Sequence, residues 1–330
     1  MFNDKINNLI NEYINRHDDI KLSVGFIVND KKYFFNYGKK IENDEIYDYE
    51  IGSISKTFTA HLIMKYVKLG KVELSKSVGY YLNIGENYPS IYELLTHTSG
   101  YKFLTPFNYK ITKWIKYFKK NLYENITNDD VLKALIKRKK KRKYNYSYSD
   151  FNYAILKLVL EKIAGKSYNE LMNEFIKEDL KLNRTFLLNE YRPNTNPVFN
   201  NFIVGRWKWN CDNPYLSAGG ICSNVCDMVE YMNIELNSKE YFITQCHIVN
   251  ENTSIRKDKL LICPGWHAYK SGNHLWHVGG VGCYKSSVII SKNKNIAIVG
   301  LGNYKGHKSA RVNNIVKMIY GYISRNRNKL

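Results

Sequence analysis

The sequence predicts an α+β protein of two lobes, in which helices flank an antiparallel sheet built from the chain ends and a mostly helical lobe is inserted between them. Two observations favour this fold class. Segments of strand-like composition, separated by turn residues, lie near both ends of the chain, at residues 21–38 and 283–302. Between about residues 53 and 245 the apolar residues recur mostly at the 3.6-residue spacing of a helix.

The two ends of the chain supply the predicted strands and their flanking helices. Apolar residues from Phe2 to Ile14 recur at helical spacing and predict an amphipathic helix. KLSVGFIVND and KYFFNYG then flank an Asn-Asp-Lys-Lys turn, and CYKSSVIIS and NIAIVGLG later flank Lys-Asn-Lys-Asn, so each pair predicts a β-hairpin. A last helix is predicted from Val312 to Ile323. Because open strand edges are a liability, we expect both hairpins to join one antiparallel sheet.

The central segment carries helix start and stop signals. One helical run begins at Ser53 and is stopped by Gly70, and a later run is stopped by Gly165. Ser167 and Glu170 form a capping box that starts the next helix. These signals indicate a largely helical insertion.

The lobe boundaries follow from these segments. We expect a single domain over residues 1–330, made of an α/β lobe at about 1–65 and 255–330 and a helical lobe at about 66–254. A cleft between two lobes is a common place for a functional site.

The composition narrows the class of protein. A hydrophobic content of 44% with 14% aromatic residues indicates a folded globular protein. The formal net charge of +20 favours anionic partners, although a solvated lysine-rich surface is the simpler interpretation. The N-terminal segment lacks the apolar core of a secretory signal, and the six cysteines lack a paired metal-ligand spacing. We therefore expect a reduced, cytoplasmic protein with no metal and no cofactor.

Ser53 and Lys56 are the candidate catalytic pair. They lie three residues apart at a predicted helix start, so they share one face. The helix dipole favours negative charge on the serine oxygen, and a lysine whose pKa is lowered by burial can act as its base. On spacing alone, a helix-capping serine is an equally good interpretation. The same spacing recurs without a Gly-Ser helix start at Ser99/Lys102, Ser254/Lys257 and Ser291/Lys294.

The surroundings of Ser53 resemble a known family. EIGSISKTFTAHLIMKYVKLGKVELSKSVGYYLN, at residues 50–83, is similar to the serine β-lactamase and penicillin-binding-protein superfamily, in particular its class C-like branch of D-aminopeptidases, DD-peptidases and esterases. LLTHTSG, YSYSDFNYAILKLVLEKIAGKSY, LSAGGICSNVCDM and HVGG resemble further family segments and follow in the family's order. The resemblance covers about residues 20–325 and implies a serine hydrolase that cleaves an amide or ester through an acyl-enzyme.

The resemblance also implies catalytic roles. Ser53 takes the position of the nucleophile and Lys56 that of its base or proton relay. Tyr148 takes the place of the catalytic tyrosine, with Tyr146 as a shifted alternative. The backbone N–H groups of Ser53 and Gly280 would form the oxyanion hole.

Substrate binding is expected at Asp150, His277 and Gly279. The second family motif normally reads Tyr-x-Asn, but here it ends in Asp150, which removes an amide donor and adds a negative charge able to pair with Lys56. His277 stands where the penicillin-binding members carry lysine and many relatives carry histidine. Gly279 and Gly280 allow close backbone approach.

The basic run Lys137–Lys143 is a second departure, since it replaces the Pro-Gly usually found there. It is a candidate contact for an anionic substrate or an acidic membrane surface, but an exposed loop of a lysine-rich protein is the simpler interpretation. We expect no nucleic-acid partner, since no recognisable nucleic-acid-binding module accompanies the run. The expected partner is a small-molecule amide, peptide or ester. The alternative is a catalytically impaired penicillin-binding or ligand-binding protein on the same fold.

Overall fold

Our computed structural model of the chain describes residues 6–8, 10–11, 21–38, 42, 45–102, 121–138, 146–188, 207–238, 247–248, 260–269, 274–303 and 310–326. Most of the predicted N-terminal helix lies outside these ranges, as do residues 139–143 of the basic run. Residues 6–8 and 10–11 are helical, as the sequence predicts.

The strands lie at both ends of the chain and in short central pieces. They are β1 Lys21–Val28, β2 Lys31–Tyr37, β3 Asp48–Glu50, β4 Phe186–Leu187, β5 Ile221–Asn224, β6 His247–Ile248, β7 Leu260–Cys263, β8 Trp266–Tyr269, β9 His274–Val281, β10 Tyr284–Ser291 and β11 Ile296–Asn303. The helices lie mostly between them. They are α1 Ser55–Lys68, α2 Val78–Leu82, α3 Ile91–Leu95, α4 Asn128–Ile136, α5 Asp150–Ala164, α6 Tyr168–Glu174, α7 Leu216–Gly219, α8 Val225–Asn237 and α9 Ala310–Asn326.

An eight-stranded antiparallel sheet forms the central layer, in the order β2-β1-β11-β10-β9-β8-β7-β6. Strands β1 and β11 pair along their whole length, with Lys21 opposite Asn303 and Val28 opposite Ile296. The two ends of the chain therefore meet inside one sheet, which confirms the predicted α+β fold. A smaller sheet of order β3-β5-β4 lies beside the segment that leads into Ser53.

The first hairpin turns more tightly than the sequence predicts. Asn29 and Asp30 both have positive φ, at 48° and 64°, which is the geometry of a two-residue turn matching the strand twist. Lys31 and Lys32, which were predicted to lie in the turn, begin β2 instead. The prediction of a four-residue turn is therefore wrong.

Helices cover both faces of the sheet. On one face, Val312, Val316 and Ile319 of α9 share a buried cluster with Val24 and Phe26 of β1. On the other face, α8 packs against β1 and β11. The sequence predicts that residues 225–237 belong to the helical lobe, but this packing places α8 with the α/β layers instead. Helical periodicity identifies which face of a helix is buried, but not the layer against which that face packs.

The helical lobe is built on α5. Every residue from Asp150 to Leu160 is buried, and the helix ends at Gly165 with φ 65° in the left-handed region, where the sequence predicts a stop. Helix α6 begins with the predicted capping box of Ser167 and Glu170. Within the part of the chain that the structure describes, no helix is long and apolar enough to cross a membrane.

Cys263 does not fit the expectation of a fully reduced protein. It is disulfide-bonded. The expectation was wrong at this residue, because sequence spacing showed no partner for a cysteine at the end of a strand.

Candidate active site

Ser53 lies in a tight turn between β3 and α1. A 3₁₀ turn spans Gly52–Ile54, and α1 follows from Ser55. Gly52 has φ 53°, and a Cβ added to it would lie 2.6 Å from the backbone nitrogen of Gly280. Glycine is required here, since it tolerates both the left-handed backbone and the close approach of β9. The serine therefore sits one turn before the α-helix, with the edge of β9 beside it.

Lys56 places its ammonium group at the centre of the site. The side chain is fully buried, and Nζ lies 3.2 Å from Ser53 Oγ, 2.7 Å from Asp150 Oδ1 and 2.7 Å from the carbonyl oxygen of Ala218. Burial lowers the pKa of Lys56, and the Asp150 carboxylate opposes this effect without cancelling it. The predicted pair is thus in contact, and its lysine is shifted toward the neutral form.

Tyr148 and Tyr146 have different partners. The Tyr148 side chain hydrogen-bonds Ser53, and Lys56 Nζ lies 5.0 Å from the centre of its ring. Desolvation and the charge of Asp150 raise the pKa of Tyr148 well above its usual value, so the phenol is neutral. The Tyr146 hydroxyl instead lies 2.9 Å from His267 Nε2. The structure therefore brings Tyr148 next to the serine.

Three buried histidines surround the site, and all are neutral. Burial, and to a smaller extent the charge of Lys56, lowers the pKa of His267 to about 4. Burial also lowers the pKa values of His97 and His277 well below the usual range of a histidine. His97 accepts a hydrogen bond at Nδ1 from the Ser149 backbone, at 3.1 Å. It thereby supports the segment that carries Tyr148 and Asp150, which is a structural role.

His277 and the glycines after it form the edge of the site on β9. His277 Nδ1 donates to the Val278 carbonyl at 2.9 Å, so the ring carries its proton on Nδ1. A Cβ on Gly279 would collide with the Ile51 carbonyl and the Ser286 hydroxyl. Because neither Gly279 nor Gly280 carries a side chain, the backbone of β9 lies directly against the turn that holds Ser53.

Asp150 lies at the first position of α5, where the helix dipole favours negative charge. Its Oδ1 contacts Lys56, and its Oδ2 accepts a hydrogen bond from the Tyr123 hydroxyl at 2.9 Å. The sequence predicts substrate binding at Asp150. In the structure both carboxylate oxygens have partners within the protein.

Four aromatic side chains that sequence reasoning missed line the cleft above Ser53: Tyr123, Trp207, Trp209 and Tyr215. The rings of Tyr123 and Tyr215 stack 3.9 Å apart at an interplanar angle of 8°. The paired tryptophans of WKW were a visible signal, but no spacing connects them to the serine in a chain this rich in aromatic residues. In the described ranges, no group of three or more His, Cys, Asp or Glu side chains could hold a metal ion.

A family model and curated relatives point to the same family. The family model described as Beta-lactamase matches residues 6–321. A protein named "Beta-lactamase" from Providencia stuartii is 26% identical over 238 residues, which cover 66% of this chain and 56% of that protein. "Putative penicillin-binding protein PbpX" from Bacillus subtilis (strain 168) is 25% identical over 253 residues, covering 72% of this chain and 59% of that protein. The chain thus spans less than three-fifths of the length of these curated relatives.

Solved structures share the fold. The octameric penicillin-binding protein homologue from Pyrococcus abyssi matches with a TM-score of 0.76 at 20% identity, covering 97% of this chain and 78% of that one. A Beta-Lactamase/D-Alanine Carboxypeptidase from Pseudomonas syringae matches with a TM-score of 0.75 at 16% identity, covering 96% of this chain and 98% of that one. At these identities the likeness concerns the fold alone.

Proposed function

The chain belongs to the beta-lactamase family, and from this premise we propose that it is a serine hydrolase that cleaves an amide or ester bond through an acyl-enzyme on Ser53. Family membership supports serine-hydrolase chemistry in general. The observation that carries the specific proposal is the 3.2 Å contact between Ser53 Oγ and the buried Lys56. A hydroxyl in hydrogen-bond contact with a base is the arrangement that activates a serine.

Acylation begins when neutral Lys56 takes the proton of Ser53 while Oγ forms a bond to the substrate carbonyl carbon. The negative charge on the carbonyl oxygen is stabilised by the backbone N–H groups of Ser53 and Gly280. The closeness of Gly280 to the Ser53 turn supports this role. As the tetrahedral intermediate collapses, the bond to the leaving nitrogen or oxygen breaks.

Tyr148 passes the proton on to the leaving group. Its hydroxyl is neutral and hydrogen-bonds Ser53, so it can donate to the leaving atom and recover a proton from Lys56. Water then attacks the acyl carbonyl, its proton returns through the same groups, and Ser53 is released with a free carboxylic acid. No metal or cofactor takes part in this scheme.

The substrate is a small amide, peptide or ester. An apolar group next to the scissile bond would contact the aromatic side chains beside Ser53. His277 is neutral where the penicillin-binding members carry lysine, so we propose that a substrate carboxylate is not strongly bound at this position. An anionic contact through Lys137–Lys143 rests on the charge of that run alone.

Ligand binding with impaired turnover is the second candidate function. The ion pair between Lys56 and Asp150 favours it, because the carboxylate opposes the neutral lysine that the reaction needs. A protein of this kind would be acylated by a reactive ligand and would release the acyl group slowly.

A panel of reactive compounds tests both functions. The protein is incubated with esters, β-lactams and D-amino-acid amides, and its intact mass is followed over time beside product release. We expect a transient mass increase with an ester or amide, together with product in excess of the enzyme. An adduct that persists without product would support the ligand-binding function. A folded protein that gains no adduct and releases no product would contradict both.

A further inference from the structure

We infer that Tyr123 and Asp150 extend the candidate pair into one hydrogen-bonded chain, in which Asp150 orients the base Lys56 and Tyr123 fixes Asp150. This inference rests on the proposed roles of Ser53 and Lys56. It assigns Tyr123 a positioning role and moves Asp150 from substrate binding to the orientation of the base.

The chain is continuous and buried. The Tyr123 hydroxyl donates to Asp150 Oδ2 at 2.9 Å, Asp150 Oδ1 lies 2.7 Å from Lys56 Nζ, and Nζ lies 3.2 Å from Ser53 Oγ. The exposed fractions are 2% for Tyr123, 5% for Asp150 and 0% for Lys56. A nucleophile, a base and a third group that orients the base form the arrangement of a catalytic triad.

Tyr123 is held so that its hydroxyl has a defined position. Its ring stacks on Tyr215, its backbone N–H donates to Asn121 Oδ1 at 2.9 Å, and its backbone carbonyl accepts from the Asn213 side chain. Since Tyr123 occupies Oδ2, the other oxygen of the Asp150 carboxylate is directed to Lys56. A ring clamped in this way sets the rotation of the carboxylate.

The chemistry needs such a partner. When Lys56 takes the proton of Ser53 it becomes an ammonium ion in a fully buried site, which is costly without a counter-charge. Among the described groups that act on Lys56, Asp150 is the negatively charged one. The described phenols and imidazoles near Lys56 are neutral, namely those of Tyr148, Tyr153, His97, His267 and His277.

The test is a double-mutant cycle on the rate at which a fluorophosphonate labels Ser53, measured by intact mass across pH. In this reaction the Ser53 Oγ–P bond forms, the P–F bond breaks, fluoride leaves, and the serine proton passes to Lys56. The variants are Tyr123→Phe, Asp150→Asn and the double variant. Tyr123→Phe keeps the stacked ring and removes only the hydroxyl.

We expect Tyr123→Phe to slow labelling about tenfold in the wild-type background, as a misplaced catalytic group does. In the Asp150→Asn background the same change should slow it less than about twofold, because Tyr123 acts through Asp150. The labelling rate of Ser53 rises with pH as Lys56 becomes neutral. In Tyr123→Phe the contact between Asp150 and Lys56 is weaker, so the carboxylate raises the pKa of Lys56 less. The rise of the labelling rate should therefore occur at lower pH in this variant than in the wild type.

Tyr37→Phe is the matched control. It removes a tyrosine hydroxyl that donates to Asn7 Oδ1 at 2.6 Å on the edge strand β2, on the opposite side of β1 and β11 from β9. It should label at the wild-type rate. An equal slowing by Tyr123→Phe in both backgrounds, no slowing at all, or an unshifted pH limb would overturn the inference.

The outcomes separate this inference from the proposed function. Wild-type protein that is folded but not labelled contradicts the role of Ser53 itself, whereas normal labelling of both wild type and Tyr123→Phe contradicts only the chain. If Asp150→Asn does not fold, the rate and pH limb of Tyr123→Phe decide the question alone. Thermal melting of each variant shows whether it is folded.

Discussion

Lys56 is subject to two opposing effects, and the function depends on their balance. Burial favours the neutral amine, while the Asp150 carboxylate 2.7 Å away favours the ammonium ion. Burial has the larger effect on the pKa, which leaves the lysine able to take a proton from Ser53. Tyr148 differs, since desolvation and the charge of Asp150 act in the same direction and keep its phenol protonated.

Tyr148 and Tyr146 give a prediction at the residue scale. Tyr148→Phe removes the hydroxyl that hydrogen-bonds Ser53, and we expect it to slow hydrolysis of an amide or alkyl ester about 100-fold, the usual contribution of a positioned proton donor. Tyr146→Phe removes the hydroxyl that contacts His267 and should slow it less than about threefold. Steady-state kinetics of both variants check this. The reverse order would make Tyr146 the catalytic tyrosine.

At the scale of elements, the site is assembled by three segments that meet at their ends. The turn before α1 supplies Ser53, the start of α5 supplies Asp150, and β9 supplies Gly280. The α/β layer that supports β9 includes α8, which packs so closely on β1 that Gly25 has no room for a side chain. A Cβ on Gly25 would lie 2.5 Å from Val229 and 2.8 Å from Val225.

Packing of α8 on the sheet gives a prediction of stability. Gly25→Ala should lower the free energy of unfolding by about 1–3 kcal/mol, the cost of overpacking a filled core. The matched control is Gly321→Ala within α9, where the nearest atom to an added Cβ is 3.8 Å away. That change should raise stability by about 0.5–1 kcal/mol, because alanine is the better helix former. Chemical denaturation of both variants measures the difference. Equal effects would contradict the packing of α8 on β1.

At the scale of the whole molecule, much of the fold and part of the site could be predicted. Hairpin patterns at the chain ends predicted the sheet, and an ordered set of motifs pointed to Ser53, Lys56 and Tyr148. Tyr123 and Trp207 could not be predicted, because each is a single aromatic residue brought to the cleft by tertiary packing. The contact between Asp150 and Tyr123 could not be predicted either, since Tyr123 lies 27 residues away in the chain with no periodic relation to Asp150.

The measurement that tests the central claim most directly is the site of covalent labelling by a fluorophosphonate, mapped by peptide mass spectrometry. We predict one adduct, on Ser53, that is absent from Ser53→Ala. Ser291→Ala, which removes the serine of another Ser-x-x-Lys spacing, should label as the wild type does. Labelling that persists at the wild-type rate in Ser53→Ala, or a folded wild-type protein that is not labelled, would contradict the assignment of Ser53 as the nucleophile.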